Sequence, residues 1–343
     1  MPHSSIATAN ITQPAASLRE DVGQHLLVRV ESVAPTCENV NVITLVSSDG
    51  SDMLPPFTAG AHVDMHLPNG LVRSYSLCNA SDDSQRYVLG VLCDPASRGG
   101  SEWLHRSLKQ GDILRISMPR NHFALDEGAE NTFMISGGIG VTPILSMIRR
   151  LKPLGKPVKL LYCARSQRSA PFLAELAGLA GGVVDITWHF DDEYAGPPSL
   201  EAFIEQAPMD AHLYCCGPSA MLKSFESLCQ GRDQAYVHME RFKQDEPSAP
   251  ASTETGACTV ELARSGVTVT MQKGVPVLQG IQLAGIEPDW SCGEGVCGAC
   301  ETKIIAGKAD HRDGILNGAQ RESNHTMMIC VSCCLSDRLV LDL

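Results

Sequence analysis

Residues 291–300 read Ser-Cys-Gly-Glu-Gly-Val-Cys-Gly-Ala-Cys and place Cys292, Cys297 and Cys300 in one loop, with four and then two residues between them. Cys330 follows after 29 more. Glycines at 293, 295 and 298 let backbone amides approach the sulfurs where a side chain would collide. A structural zinc site usually pairs two short Cys-x-x-Cys clips, whereas three of these cysteines share one glycine-rich loop. The spacing is that of a plant-type [2Fe-2S] cluster held by four thiolates. Cys333 and Cys334 lie within a turn of Cys330 and compete with it for the fourth place. Spacing and the apolar run Met327-Met328-Ile329 favour Cys330, leaving the other two to pack in the last strands.

The flanks of this loop suit a small half-open sheet. Residues 258–263 and 267–272 alternate about Ser265-Gly266, a hairpin signal, and 277–285 (VLQGIQLAG) supply a short helix before the loop. The run 338–343 (RLVLDL) closes the sheet. An α+β domain of the β-grasp type is expected over 257–343.

The other ten cysteines show no ligand spacing. No basic segment followed by an apolar run opens the sequence, so these read as thiols kept reduced in the cytoplasm. No stretch approaches the roughly 18 apolar residues of a membrane helix, so no membrane association is expected. With 343 residues, 43% hydrophobic and 19% charged, the chain has material for three ordinary cores. A net charge of −12 argues against nucleic acid as a partner and leaves room for an acidic face toward a basic protein.

Upstream, residues 132–136 (TFMIS) form an apolar strand that runs into Gly137-Gly138-Ile139-Gly140-Val141-Thr142-Pro143 and then a helical pattern. Thr142 is expected to cap that helix and Pro143 to sit in its first turn. Ile144, Met147, Ile148 and Leu151 share one face, and Gly155 and Pro157 end it. Amides at the helix start suit a dinucleotide pyrophosphate, although a turn of this kind also serves packing. Further apolar strands at 158–164, 183–190 and 212–218, separated by helical stretches, predict a doubly wound parallel α/β sheet over 128–242. Ligands collect at the C-terminal ends of such strands, where Arg165, Asp191 and Cys216-Gly217-Pro218 stand.

From 25 to 127 the chain reads as short strands and turns, a small antiparallel β-barrel. Two segments of it carry chemistry: Arg73-Ser74-Tyr75-Ser76, and Gly99-Gly100-Ser101 before a short helix. Arginine, hydroxyls and free amides suit a phosphate, and tyrosine suits a flat ring. An ordinary strand with a surface arginine would look the same. Residues 1–24, rich in Ser, Thr and Ala, read as a tail, and 243–256 as a mobile linker to the last domain.

Taken in order, RSYSL, SRGGS, GGIGVTP, YCARS, CCGP and the C-terminal cysteine set resemble the phthalate dioxygenase reductase family, over nearly everything after residue 25. The resemblance implies FMN held by Arg73, Ser74, Tyr75, Ser76, Gly99, Gly100, Ser101 and Phe242. It implies a pyridine nucleotide bound near Gly137, Gly138, Gly140, Thr142, Pro143, Arg165, Cys216, Gly217 and Pro218, with Ser76, Thr142 and Cys216 positioning the rings for hydride transfer. NADH is the expected coenzyme, with NADPH left open by Arg165 and Arg168. Residues 310–313 (DHRD) also match the family and read more simply as a charged turn supporting the fold. The implied partner is the Rieske centre of an aromatic-ring dioxygenase or demethylase, and the chain is expected to be a monomer. Two alternatives stand beside this reading: the same relay serving a haem monooxygenase, and a non-catalytic iron–sulfur sensor.

Overall fold

The computed structural model describes residues 25–51, 53–194, 196–243 and 256–343. The expected tail and nearly all of the expected linker lie outside the described residues. Among those described, no helix is long and apolar enough to cross a membrane.

Strands β1 (His25–Cys37), β2 (Val40–Ser47), β3 (His62–His66), β4 (Val72–Ser76), β5 (Tyr87–Leu92) and β6 (Ile113–Ser117) form one antiparallel sheet in the order β4-β3-β6-β1-β2-β5. Period-2 alternation drives it: Val28, Val30, Ile43, Leu45, Val63, Met65, Leu89 and Val91 all turn inward and are fully buried. Breaks in register along β1 bend that long strand, and an isolated bridge between Leu77 and Leu89 joins the two edge strands. The sheet is thereby closed into a barrel. Helix α1 (Gly100–Arg106) follows the GGS turn.

The second domain is a parallel sheet of β7 (Thr132–Gly137), β8 (Val158–Ala164), β9 (Val184–Phe190), β10 (His212–Cys216) and β11 (Val237–Glu240) in the order β11-β10-β7-β8-β9. Helices α2 (Val141–Leu151) and α3 (Leu173–Leu179) cover one face, and α4 (Leu200–Ile204) and α5 (Ser219–Leu228) the other. The strand order reverses beside β7, so a crevice opens between the ends of β7 and β10. Ala59, Cys78 and Phe123 of the barrel join the core beneath α2, so one apolar core crosses both domains.

One expectation is corrected here. Thr142 does not cap α2: a 3-10 turn, Gly138–Gly140, leads into a helix that begins at Val141. Thr142 is already helical, and its hydroxyl donates to the Ile139 carbonyl at 3.0 Å instead of accepting from an amide.

The last domain is a mixed five-stranded sheet in the order β13-β12-β18-β14-β16, built from β12 (Ala257–Leu262), β13 (Val267–Gln272), β14 (Glu301–Ala306), β16 (Thr326–Met328) and β18 (Arg338–Leu341). Helix α6 (Val277–Leu283) packs Val277, Leu278 and Ile281 on it in the β-grasp manner. A minor pair, β15 (Ala309–Asp310) with β17 (Cys333–Cys334), and α7 (Gly318–Ser323) complete it. Residues 310–313 serve this fold: Arg312 pairs with Asp310, and Asp313 accepts the amides of Ile315 and Leu316.

Candidate functional site

The cysteine loop runs from α6 to β14 and folds on its glycines, with φ of 67° at Gly293, 67° at Gly295 and 73° at Gly298. Those left-handed turns aim amides inward. The Glu294 amide donates to Cys292 Sγ at 3.3 Å, and amides of Val296 and Cys297 reach the same sulfur. The Ala299 amide serves Cys297, and that of Cys330 serves Cys300.

The four thiols lie near enough to shift one another's ionisation, Cys292 with Cys297 and Cys330, and Cys330 with Cys300. Hydrogen bonds from Cys297 and Cys330 draw the Cys292 thiol well down, while donation by those two, together with their burial, pushes their own values up. Four thiols that act on one another and accept from several loop amides are a donor set that fits a two-iron cluster. Cys333 and Cys334 turn elsewhere, donating to the carbonyls of Val331 and Ser336.

A cleft of about 540 Å³ lies at the seam of the barrel, beyond the bridge between Leu77 and Leu89, and draws its lining from all three domains. The barrel contributes residues 73–76 of β4, Gly90 and Leu92 of β5, and Ser97, Arg98 and Ser101. Ile139, Thr142 and Phe242 come from the parallel-sheet domain, and Gly293 and Glu294 from the cysteine loop. Gly99 and Gly100 shape the turn without lining the cleft. Gly99 takes φ 95°, and Arg73 lies across Gly100, where a Cβ would meet its Nε at 2.7 Å. Ser101 accepts the Asp94 amide at 3.2 Å and donates to Ser97 at 3.0 Å, which holds the loop shut on itself. Two ion pairs cross the mouth, Arg98 with Glu294 and Lys243 with Asp94. A guanidinium, several hydroxyls and two aromatic faces form a donor set that fits a flavin with its phosphate.

The second predicted set gathers at the C-terminal ends of the parallel strands. Gly137, Gly140, Thr142, Pro143 and Cys216 are buried, Gly138 and Gly217 half-buried, and Arg165 and Pro218 exposed. Several of these glycines serve packing: a Cβ on Gly140 would overlap the Cys216 carbonyl, and one on Gly137 would meet Pro218 at 2.6 Å. Thr142 turns toward the flavin-shaped cleft, which it helps to line.

Glu240 escaped sequence reasoning. It ends β11 opposite Cys216 in the parallel register, and accepts from Ser76 Oγ at 3.4 Å and Cys216 Sγ at 4.0 Å. Burial pushes its carboxyl up to about 8, against a weaker pull from Ser76. Cys216 is likewise held neutral, by burial and by Glu240. A neutral hydroxyl, carboxyl and thiol therefore meet where β4 faces the crevice. The available signal was one acid at the end of the apolar stretch Val237-His238-Met239.

Comparison with known proteins identifies families for two stretches of the chain. A family described as 2Fe-2S iron-sulfur cluster binding domain matches residues 260–335, and one described as oxidoreductase NAD-binding domain matches 134–227. The chain is 46% identical over 316 residues to the phenoxybenzoate dioxygenase subunit beta of Ectopseudomonas oleovorans, spanning 92% of this chain and 97% of that one. Among solved structures it resembles phthalate dioxygenase reductase, described as modular, with electron transfer from pyridine nucleotides to [2Fe-2S]. That match has a TM-score of 0.66 and 33% identity and covers 93% of this chain and 98% of the other. It also resembles an intact type IV self-sufficient cytochrome P450 monooxygenase, with a TM-score of 0.84 and 33% identity over 93% of this chain, though it spans only 41% of that longer protein.

Proposed function

This chain belongs to the phthalate dioxygenase reductase family, and from that premise we propose that it carries electrons from NADH through FMN and a [2Fe-2S] cluster to the Rieske component of an aromatic-ring oxygenase. The observation that carries the proposal is a cleft lined by all three domains, where a flavin would lie against both the coenzyme crevice and the cysteine loop.

Bound FMN supplies the one conversion the relay needs, from a hydride pair to electrons delivered singly. The chain supplies geometry. Arg73, Ser97 and the Gly99-Gly100-Ser101 turn take the phosphate, Tyr75 and Phe242 offer faces to the ring, and Ser74 and Ser76 line its polar edge. Gly138, Arg165, Gly217 and Pro218 are the accessible members of the coenzyme set. Cys216 and Thr142 close the crevice from beneath and orient the nicotinamide. Glu240 holds a proton at neutral pH, one hydrogen bond from Ser76. Cys292, Cys297, Cys300 and Cys330 hold the cluster. The cytoplasm, where such thiolates stay reduced, is the proposed location.

Visible absorption combined with cofactor extraction tests this reading. Equal amounts of FMN and of two-iron clusters per chain are expected, with faster turnover on NADH than on NADPH. A folded protein that binds iron but no flavin would overturn it in favour of a sensor. The likeness to the cytochrome P450 monooxygenase favours a second acceptor, a haem monooxygenase, and reduction assays with each acceptor separate the two.

A further inference from the structure

The cysteine loop meets the barrel through a buried polar contact. Asp64 of β3, 1% exposed, lies opposite Ser74 in the β3/β4 register, and the Ser74 hydroxyl donates to Asp64 Oδ1 at 2.5 Å. Arg120 forms an ion pair with Oδ2. From the other domain the Ser291 hydroxyl is buried close to the same carboxylate and helps to lower its pKa, without a well-aligned hydrogen bond to any group. Burial pushes Asp64 up, but Arg120, Ser291 and Ser74 outweigh it and keep the group ionised.

His62, two residues back and 4% exposed, projects from the same face of β3 and donates Nε2–H to the Cys297 carbonyl at 3.1 Å. His122 completes the seat, its imidazole filling the space that a Cβ on Gly298 would need.

A buried carboxylate is a costly way to hold two domains together. Apolar contact would serve adhesion as well or better, so the benefit lies in fixing register. Here the carboxylate joins two functional segments: Ser74 belongs to the flavin-lining strand, and Ser291 is covalently next to Cys292.

We infer that Asp64 and His62 are positioning residues for the internal electron step, seating the cysteine loop on the flavin-binding strand so that the cluster is held at a fixed distance from the flavin. The inference rests on the reading that the cleft holds FMN and the four cysteines a cluster. In that step one electron leaves the reduced flavin and enters the oxidised cluster with no bond made or broken. NADH would supply the electron pair, the oxygenase component would take the first electron from the cluster before the second left the flavin, and the flavin's protons would pass to solvent.

The test uses full-length holoprotein and two variants, Asp64→Asn and Ser291→Ala; the second removes only the arm from the cysteine loop. Anaerobic rapid mixing with NADH separates flavin reduction from cluster bleaching, and hydrogen exchange reads the amides of 291–300. In Ser291→Ala, flavin reduction is expected to be unchanged and cluster bleaching about tenfold slower, the effect of losing one polar contact with a buried charged group. Amide exchange in the loop should rise by a similar factor, with the cluster potential unmoved. Asp64→Asn should do more, and if it fails to fold, Ser291→Ala decides alone. Normal bleaching and normal amide protection in Ser291→Ala, with full FMN and iron content, would overturn the inference. Parent protein lacking flavin or iron would instead overturn the reading beneath it.

Discussion

Glu240 is a half-buried acid whose proton is part of the fold. A glutamate in the unfolded chain ionises near 4.5, whereas Glu240 holds its proton until about 8. Between those values the folded chain binds a proton that the unfolded chain has released, so this group makes stability fall as pH rises through the window. Glu240→Gln keeps the shape and cannot ionise. Relative to the parent it is expected to gain on the order of 3 kcal/mol between pH 5 and pH 8, read from denaturant melts at the two values. An unchanged pH slope would mean that Glu240 ionises freely in the fold. The residue was invisible beforehand because nothing in the sequence around it says that β11 ends against Cys216 and Ser76.

Helix α2 was legible as an element and misread at its start. Its apolar face is in the sequence, and Ile144, Met147, Ile148 and Leu151 are all fully buried. What pattern alone could not give is the 3-10 turn before it, or the other side of the helix being covered by the barrel. Gly140 is the tight point, pressed on the Cys216 carbonyl with no room for a Cβ. Gly140→Ala should therefore lower stability by about 2 kcal/mol through overpacking and open the crevice between β7 and β10. A thermal melt together with NADH titration checks both effects, and a variant with parental Tm and coenzyme affinity would contradict this account of the turn.

At the scale of the whole chain, the three domains converge on one cleft, and the cysteine loop is its third wall. That arrangement divides the relay into an entry and an exit. Cys292→Ser is expected to leave flavin reduction by NADH intact while abolishing transfer to the acceptor, followed by anaerobic rapid mixing and by acceptor reduction. Loss of both steps together, in a folded variant with FMN bound, would show that the entry depends on the cluster. Ion pairs from Arg98 to Glu294 and from Lys243 to Asp94 tie the loop and the start of the expected linker across the mouth.

The cysteine spacing, the glycines between the cysteines, the strand-turn-helix at 132–151 and the alternation of the barrel strands were determined locally. Each is a short-range pattern that backbone geometry and ligand reach impose on neighbouring residues. Spacing favoured Cys330 as the fourth thiolate over Cys333 and Cys334, and the strand pairing of β15 with β17, which takes up those two, supports that proposal. Only the tertiary structure decided which residues meet across domains: Glu240 with Ser76, His62 with Cys297, Asp64 with Ser74 and Ser291. Those contacts depend on how separate sheets pack, and a polar residue destined for a buried interface looks, along the chain, like any surface one.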